Sequence, residues 1–421
     1  ITLNDNVSTG IVHVAGSFEE TADFGSQTLT SHGMRDIFVG EVHTYGQPGA
    51  PLGWDWVVQA GGGGDDIPNG IALDTSLTRL YITGTFEQTA EFGSHAITGS
   101  GQDDIFVAGL DQFCDWIWAR RAGGTGVDFG EGIAVSPVAG CYDIHVSGAF
   151  NGTADFGPHV LTSAGSIDVY AAKLDSGGNW IWAESAGGTS ADYSYGLALD
   201  PAGNACLTGY FGDTASFGDH SVTAGWKDIF AAKIDPAGNW LWASSGGDDG
   251  RDDMGYGIAA DGAGNFYICG YFWYDAVFGS HTITSNGDWD AFAAKIDPAG
   301  NWLWAVGGGG SGQDRAYGIS TDSSGIAAIC GAFEETASFG DISLTSTGAT
   351  DAFVAKLDSG GVPVDDGLHI DTPGPYPFLA VWPNPVRGGD IVRVKAGIAG
   401  GESGVLTICN LRGQVIAEYR L

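Results

Sequence analysis

Basic residues are scarce in this chain: 16 Lys+Arg stand against 51 Asp+Glu in 421 residues, giving a net charge of −35. Binding to nucleic acid needs basic patches that meet the phosphates, so we expect no nucleic-acid partner. An anionic membrane surface is disfavoured for the same reason. An acidic surface is typical of an extracellular protein that stays soluble or collects divalent cations.

Other absences narrow the class of protein further. No apolar run reaches the roughly 20 residues of a membrane-spanning helix, so we expect no membrane span. No window keeps a helical period, and the 71 glycines lack the three-residue period of collagen. No basic and then apolar leader opens the chain, so we expect a removed export signal or a fragment. Glycine-rich turns and 12% aromatic residues favour an all-β repeat fold.

The sequence also lacks the common catalytic motifs. It contains no Gly-x-Ser-x-Gly elbow, no His-Glu-x-x-His zinc motif and no phosphate-binding loop. Pairs of carboxylates occur throughout, as this composition requires, and therefore single out no glycosidase site. We predict that the protein is not an enzyme, and a hydrolase or lyase is the least favoured alternative.

The six cysteines form no Cys-x-x-Cys pair, which disfavours zinc and thioredoxin chemistry. Cys114 replaces a turn glycine, and Cys141 lies in a turn of the next repeat that emerges on the same face. We predict a disulfide between them, as suits an exported protein. The others are predicted to be buried core residues: Cys206, Cys269, Cys330 and Cys409.

A motif of the form Gly-x-Phe…Phe-Gly occurs six times, at residues 16–25, 84–93, 148–157, 209–218, 270–279 and 331–340. A period of roughly sixty residues indicates a duplicated supersecondary unit. In the fourth copy, four short apolar runs at 196–200, 205–211, 228–235 and 240–243 are divided by Pro/Gly/Asn turns. Such runs are typical of antiparallel strands.

Four strands in each of six units predict a six-bladed β-propeller of four-stranded blades over residues 1–365. The repeats lie near 1–60, 70–121, 132–183, 196–243, 257–305 and 318–365. Five units end in Trp-x-Trp, whose rings share one face of the outer strand and are expected to pack between blades. The sixth reads Val362-Pro-Val364 at this place, so its outer strand is predicted to be weak or absent.

The run Asp-Ala-Phe-Ala-Ala-Lys-Ile-Asp-Pro-Ala-Gly-Asn at 290–301, with Tyr-Gly-Ile-Ala-Ala-Asp at 256–261, resembles the SBBP-type β-propeller repeat. The resemblance covers roughly residues 1–365. It implies the propeller fold and a place among large bacterial surface and secreted proteins, and it implies no particular activity.

Residues 366–377 are predicted to be a stiff Pro-rich linker, and residues 378–421 a small, incomplete β-sandwich. Trp-Pro-Asn-Pro at 382–385 and Asn-Leu-Arg-Gly-Gln-Val at 410–415 resemble the C-terminal sorting domain of the type IX secretion system. This resemblance implies a secreted or cell-surface location in a Gram-negative bacterium. Such domains continue for several more strands. We expect either that a neighbouring copy completes the sandwich by strand addition, giving a head-to-tail assembly, or that the sequence is truncated or its terminus processed.

Aspartates recur at two positions of the repeat, four residues before the glycine of the first strand and just before the third strand, and both series are expected on one face. They could form a ring of Ca²⁺ ligands, or each could accept backbone N–H bonds and fix a turn, which exact repetition favours. The densest acidic loop supplies the calcium candidates Asp248, Asp249, Asp252 and Asp253. The two series are Asp66, Asp128, Asp192, Asp253 and Asp314, and Asp36, Asp104, Asp168, Asp228, Asp290 and Asp351.

Residues that break the repeat are the remaining candidates. Trp226, Trp273, Tyr274 and Trp289 could form an aromatic patch that binds glycans, or could pack within the long inserts between the second and third apolar runs of each repeat. Asn6 and Asn151 begin N-glycosylation sequons, and Thr214 lies in an Asp-Thr-Ala motif of O-glycosylation. The repeated histidines are assigned to turns or packing rather than to a metal: His95, His159, His220 and His281.

The favoured function is that of a non-enzymatic extracellular structural or adhesive protein, such as a self-assembling filament subunit joined to other copies through its tail. The alternative is a secreted propeller that binds a glycan or a surface protein on the acidic face that bears the inserts.

Overall fold

The computed structural model describes residues 2–3, 11–43, 53–74, 79–138, 141–248, 250–322, 325–363, 405–409 and 415–420. Within this part of the chain all regular structure is β, and no helical segment has the length and apolarity of a membrane span. The predicted linker at 366–377 lies outside the described residues. Of the predicted sandwich at 378–421, only the antiparallel pair β24 (Val405–Cys409) and β25 (Val415–Arg420) is described.

The strands fall into successive antiparallel groups that follow the sequence repeat. The first contains β1 (Thr2–Leu3), β2 (Ile11–Asp23), β3 (Thr28–His43) and β4 (Gly53–Gly62). The second contains β5 (Asp66–Asp74), β6 (Arg79–Phe92), β7 (His95–Leu110) and β8 (Trp116–Gly124). The third contains β9 (Asp128–Val138), β10 (Cys141–Phe156), β11 (His159–Asp175) and β12 (Trp180–Gly188).

Three further groups follow in the same order. The fourth contains β13 (Tyr193–Leu199), β14 (Ala205–Phe217), β15 (His220–Ile234) and β16 (Trp240–Gly246). The fifth contains β17 (Met254–Ala260), β18 (Phe266–Phe278), β19 (His281–Ile296) and β20 (Trp302–Gly310). The last contains β21 (Arg315–Thr321), β22 (Ala327–Phe339) and β23 (Ile342–Leu357).

In each group the strands pair in sequence order, and the first strands of neighbouring groups pack against one another around a common centre. The end of each outer strand also pairs with the second strand of the next group, as Gly123 does with Asp155. This arrangement is β-propeller-like: each sheet buries its faces against its neighbours.

The segments predicted as long inserts are extensions of the second and third strands. In the second group, β6 and β7 stay paired to Phe92 and His95, which flank a two-residue turn with Gly93 at φ +59°. A bulge at Gln88, with φ +58°, redirects the ribbon midway. The aspartates predicted to precede the third strand, such as Asp104, therefore lie inside it.

The Phe-Gly and Trp-x-Trp motifs are parts of one packing unit, which confirms their predicted structural role. Phe92 is fully buried, and its ring meets Trp116 edge-on at 5.1 Å. Trp118 covers Gly178 in a turn of the next group, and its Nε1 donates to Ser176 O at 3.1 Å. Trp116 thus packs within its own sheet, and Trp118 packs against the next group.

The sixth group lacks the tryptophan of this pattern. Leu357 and Pro363 form one bridge at the last described residue, and the rest of the outer strand lies outside the described residues, so its predicted weakness stays a prediction. Pro363 packs against Gly340, where a tryptophan covers the equivalent glycine in the second to fifth groups.

Candidate binding site at the central channel

The first strands surround a small cavity at their common centre, which we call the channel; its lining includes Ile133, Leu197, Tyr256 and Tyr317. At the first residue of β9 and directly before β13, β17 and β21, the repeated aspartate is buried, and the residues one and three positions after it are partly exposed. A small buried residue separates those two, because the neighbouring strands approach closely there. The third position is occupied by Glu131, Tyr195, Tyr256 and Tyr317.

These side chains are neighbours at the channel. The rings of Tyr195 and Tyr256 lie 4.9 Å apart, and those of Tyr256 and Tyr317 lie 5.5 Å apart. Tyr193 donates its hydroxyl hydrogen to Glu131 Oε1 at 2.6 Å. Burial raises the pKa of Glu131 to about 7, so this carboxyl exchanges a proton near neutral pH.

A continuous series of rings leads from the channel to the outer surface, with successive centroids 4.6 to 6.0 Å apart. We call this series the aromatic belt. Its members in order are Phe129, Tyr193, Tyr195, Tyr256, Tyr271, Trp289, Trp273 and Tyr274. Side chains of this kind stack on apolar faces of ligands, and their hydroxyl and indole groups form hydrogen bonds.

Local strand geometry presents the outer end of the belt. Trp273 and Trp289 are directly opposite on β18 and β19, and their rings meet edge-on at 5.6 Å. Tyr274 occupies the bulge of this ribbon at φ +57°, and 52% of it is exposed. The other groups have glutamate, glutamine, glycine or aspartate at the bulge, so an exposed ring is peculiar to the fifth group among them.

Three cationic side chains rest on the belt and beside it. The Arg315 guanidinium lies 4.1 Å from the centroid of Trp289, and that of Arg251 lies 4.7 Å from the centroid of Trp273. Lys227 Nζ lies 5.1 Å from the Tyr210 ring and pairs with Asp252 at 3.1 Å.

The structure brings together three of the four predicted aromatic residues, Trp273, Tyr274 and Trp289. Trp226 is 61% exposed and makes no ring contact with these three in the described part of the chain. The aromatic patch is therefore larger than predicted, and it is displaced towards the channel.

The recurring aspartates fix backbone turns. Asp192 accepts N–H bonds from Gly188 and Gly212 at 2.7 and 3.1 Å, and burial raises its pKa to about 7. Asp253 accepts an N–H bond from Trp273 at 2.8 Å, and burial raises the pKa of Asp253 to about 8. These contacts support the structural alternative for both series.

The described aspartates of the candidate calcium loop also make contacts within the protein. Asp253 accepts the N–H of Asp248, Asp252 pairs with Lys227, and Asp249 lies outside the described residues. No group of three possible metal ligands occurs among the described side chains. Calcium binding stays a prediction.

The predicted modification sites are distributed as follows. Thr214 is exposed on β14, Asn151 is partly buried and donates to Ser166 O at 2.7 Å, and Asn6 lies outside the described residues. Cys114 is a free thiol whose pKa is raised to about 11 by burial. The side chain of Cys141 lies outside the described residues, so the disulfide stays a prediction. The prediction of buried cysteines is confirmed for Cys206, Cys269 and Cys330, and Cys409 lies outside the described residues.

Sequence reasoning missed the residues at the channel, Glu131, Tyr195, Tyr256, Tyr317 and Arg315. The available signal was variation inside the repeat. The position three residues after a constant aspartate changes from glutamate in the third unit to tyrosine in the next three.

No known family profile matches the chain. An uncharacterized WD repeat-containing protein of Acanthamoeba polyphaga mimivirus is 24% identical over 343 residues, covering 63% of this chain. The chain spans only 24% of the length of that curated relative.

Several solved structures are also similar. A protein of unknown function from Bacteroides caccae has a TM-score of 0.41 and 10% identity, covering 85% of this chain and 93% of that one. An exo-1,5-alpha-L-arabinanase from a bovine ruminal metagenomic library has a TM-score of 0.25 and 12% identity, covering 72% and 96%. A GH43 endo-arabinanase from Bacillus licheniformis has a TM-score of 0.26 and 16% identity, covering 71% and 98%.

The repeated antiparallel groups described above form the β-propeller-like repeat fold, and the two finer family resemblances stay predictions. The prediction that the chain is not an enzyme is contradicted, because two of the similar structures are arabinanases. The absence of familiar motifs was a weak basis for that prediction, since a propeller can assemble catalytic groups from distant strands. At these TM-scores the likeness carries no argument for a particular activity of this chain.

Proposed function

We propose that this protein is an extracellular carbohydrate-binding propeller that attaches to a glycan through the aromatic belt. The observation that carries the proposal is the unbroken series of eight rings from Phe129 to Tyr274, which combines stacking surfaces with hydroxyl, indole and carboxyl groups. Sugar rings present apolar C–H faces and polar edges, and this mixture of groups suits both.

The position of the belt supports the same proposal. It lies where the repeat diverges in sequence, whereas the positions that hold the strands together recur from unit to unit. Residues that vary on a constant scaffold are available for recognition, because the fold does not fix their identity.

Binding to a glycan array, followed by titration monitored through tryptophan fluorescence, tests this function. Tyr274→Ala and Trp273→Ala are expected to weaken binding by at least about tenfold, on the scale of the roughly 1–3 kcal/mol that one aromatic ring contributes when a nucleobase stacks on it. Trp226→Ala is the matched control, since it removes an exposed indole outside the belt, and it should bind as the unaltered protein does. Equal loss in all three variants, or binding by none of the proteins, would refute the assignment.

We also propose the finer fold and location that accompany this function: a six-bladed, SBBP-type propeller on the surface of a Gram-negative bacterium, exported by a type IX-like route. The motif resemblances at 290–301, 382–385 and 410–415 support it. A full-length chain that stays in the periplasm of a host with an intact type IX system would contradict it.

A second candidate function is self-assembly through the sixth group. Val362-Pro-Val364 stands where the preceding units have Trp-x-Trp, so the sequence predicts a weak outer strand there. A sheet with a weak outer strand accepts a strand from another chain, so we propose head-to-tail contacts between copies there. Sedimentation and electron microscopy of native material test this proposal. A monodisperse monomer at every concentration would contradict it.

A further inference from the structure

The cations around the aromatic belt are unusual for this chain. It has 16 Lys+Arg against 51 Asp+Glu, yet Lys227, Arg251 and Arg315 all lie beside or on the same series of rings. Lys227 is neutralised by Asp252. Neither Arg251 nor Arg315 forms an ion pair with a carboxylate among the described side chains, so neither charge is neutralised by a direct contact in this part of the chain.

Arg315 has hydrogen-bonding capacity that the protein does not use. Its guanidinium stacks over Trp289 and Tyr271, and one terminal nitrogen donates to Gln313 Oε1 at 3.2 Å. Its Nε and the indole Nε1 of Trp289 are both buried without a partner in the described structure. Buried donors are normally satisfied, so a pair of unsatisfied donors on touching side chains indicates an acceptor that the protein itself does not provide.

Arg120 shows what a structural arginine looks like in the same molecule. It also lies over an indole, that of Trp118 at 5.8 Å. Its three nitrogens donate to the carbonyl oxygens of Gly178, Ala119 and Gly177, at 2.8 to 3.2 Å. Arg315 is stacked in the same manner but lacks these bonds.

Arg251 extends the cationic surface outward. Its guanidinium lies 4.7 Å from the Trp273 centroid and 5.7 Å from that of Tyr274, and the side chain is exposed. Stacked guanidinium groups keep their edge N–H groups free for planar anions, which they bind in bidentate fashion.

We infer that the glycan bound by the aromatic belt is negatively charged, with a carboxylate or sulfate group held by Arg315 and the Trp289 indole and a sugar face stacked on Trp273. This inference rests on the proposed carbohydrate-binding function and names its ligand class. A neutral glycan would leave both buried donors to weaker acceptors, whereas a charged acceptor forms stronger hydrogen bonds.

Calorimetric titration with three oligosaccharides of equal length tests the inference: an oligogalacturonate, a sulfated oligogalactan and a neutral oligogalactan. We expect at least one acidic oligomer to bind about tenfold or more tightly than the neutral one. Arg315→Gln should weaken the acidic complex by about tenfold or more and change the neutral one by less than about twofold. Arg251→Gln, at an exposed site that does not affect folding, should reduce acidic binding in the same direction.

Arg120→Gln is the matched control and should leave every affinity unchanged. The two acidic arms decide between carboxylate and sulfate. If the neutral oligomer binds as tightly as the acidic ones, or if both belt arginine variants bind normally, the inference is overturned while the carbohydrate function stands. Failure of all three oligomers to bind would count against both.

Discussion

Arg121→Gln is expected to destabilise the fold in a pH-dependent manner, because it leaves a buried carboxylate without its cation. Asp104 is fully buried; its Oδ2 accepts the N–H of Ser100 at 2.7 Å, and its Oδ1 accepts Arg121 Nη1 at 3.1 Å. The equivalent Oδ1 atoms of Asp168 and Asp290 have no partner in the described structure. The second group thus provides its own cation where the third and fifth do not.

The size of the effect follows from this geometry. Breaking a buried ion pair costs about 3–5 kcal/mol, and one charged hydrogen bond contributes about 1.5–3 kcal/mol. The Arg121 side chain is 25% exposed, so part of its charge is already solvated. We therefore expect a loss of about 2 kcal/mol in the free energy of unfolding at pH 8.

The loss should be smaller at pH 5. A buried carboxyl without a cation is more stable as the neutral acid, as at Asp290, whose pKa burial raises to about 6. Above that pH the folded state must either bury a charged carboxylate or keep a proton that the unfolded chain releases. Either lowers the free energy of unfolding.

Urea unfolding followed by tryptophan fluorescence at pH 5 and pH 8 measures the difference. Arg120→Gln, one residue earlier on β8, is the control, because that side chain bonds only to carbonyl oxygens and its effect should not depend on pH. The reasoning is refuted if Arg121→Gln costs the same at both pH values, or no more than the control at pH 8.

Three further outcomes are expected. Burial raises the pKa of Asp192 to about 7 and of Asp253 to about 8, so the folded state binds more protons than the unfolded state. The melting temperature should therefore fall from pH 5 to pH 8. A melting temperature that stays constant or rises over this range would contradict the prediction. Gly187 has φ +150°, and Gly187→Ala places a Cβ 2.7 Å from a buried carboxylate oxygen, so it should lower the free energy of unfolding by about 2 kcal/mol or more. Gly53→Ala is the control: its Cβ would have no atom within 4 Å, and it should change the urea midpoint little. Trp302→Ala removes a ring that meets the buried Phe278 ring at 4.9 Å and should cost about 3–5 kcal/mol in the same assay, and a loss below about 1 kcal/mol would argue against its role in packing the fifth sheet.

Much of the fold could be predicted from the repeat. The Phe-Gly and Trp-x-Trp motifs each engage residues within their own unit or the next one, so their roles are visible as a spacing. Phe92 on β6 and Trp116 on β8 illustrate this, as their rings meet across β7, which lies between the two strands in one sheet. The length of the hairpin ribbons was less visible, because a bulge such as that at Gln88 lets pairing continue past an apparent loop.

The candidate site was only partly predictable. Trp273 and Trp289 were found because each breaks the repeat, and they meet as a cross-strand pair. Trp226 also breaks the repeat but lies apart from them. A deviation from the repeat identifies a residue that the scaffold does not need, and it gives no information on where that side chain points.

The sequence by itself determined the repeating unit, the β character of its strands, the packing tryptophans and the turn-fixing aspartates, because these depend on contacts within a unit or between successive units. Only the tertiary structure decided that Glu131, Tyr195, Tyr256 and Tyr317 meet at one channel and that Arg315 stacks on Trp289 with a donor unused. Successive channel residues are separated by a full repeat in sequence. They become neighbours because the first strands of all groups pack around one centre, and this arrangement turns a variable position of the repeat into a single surface.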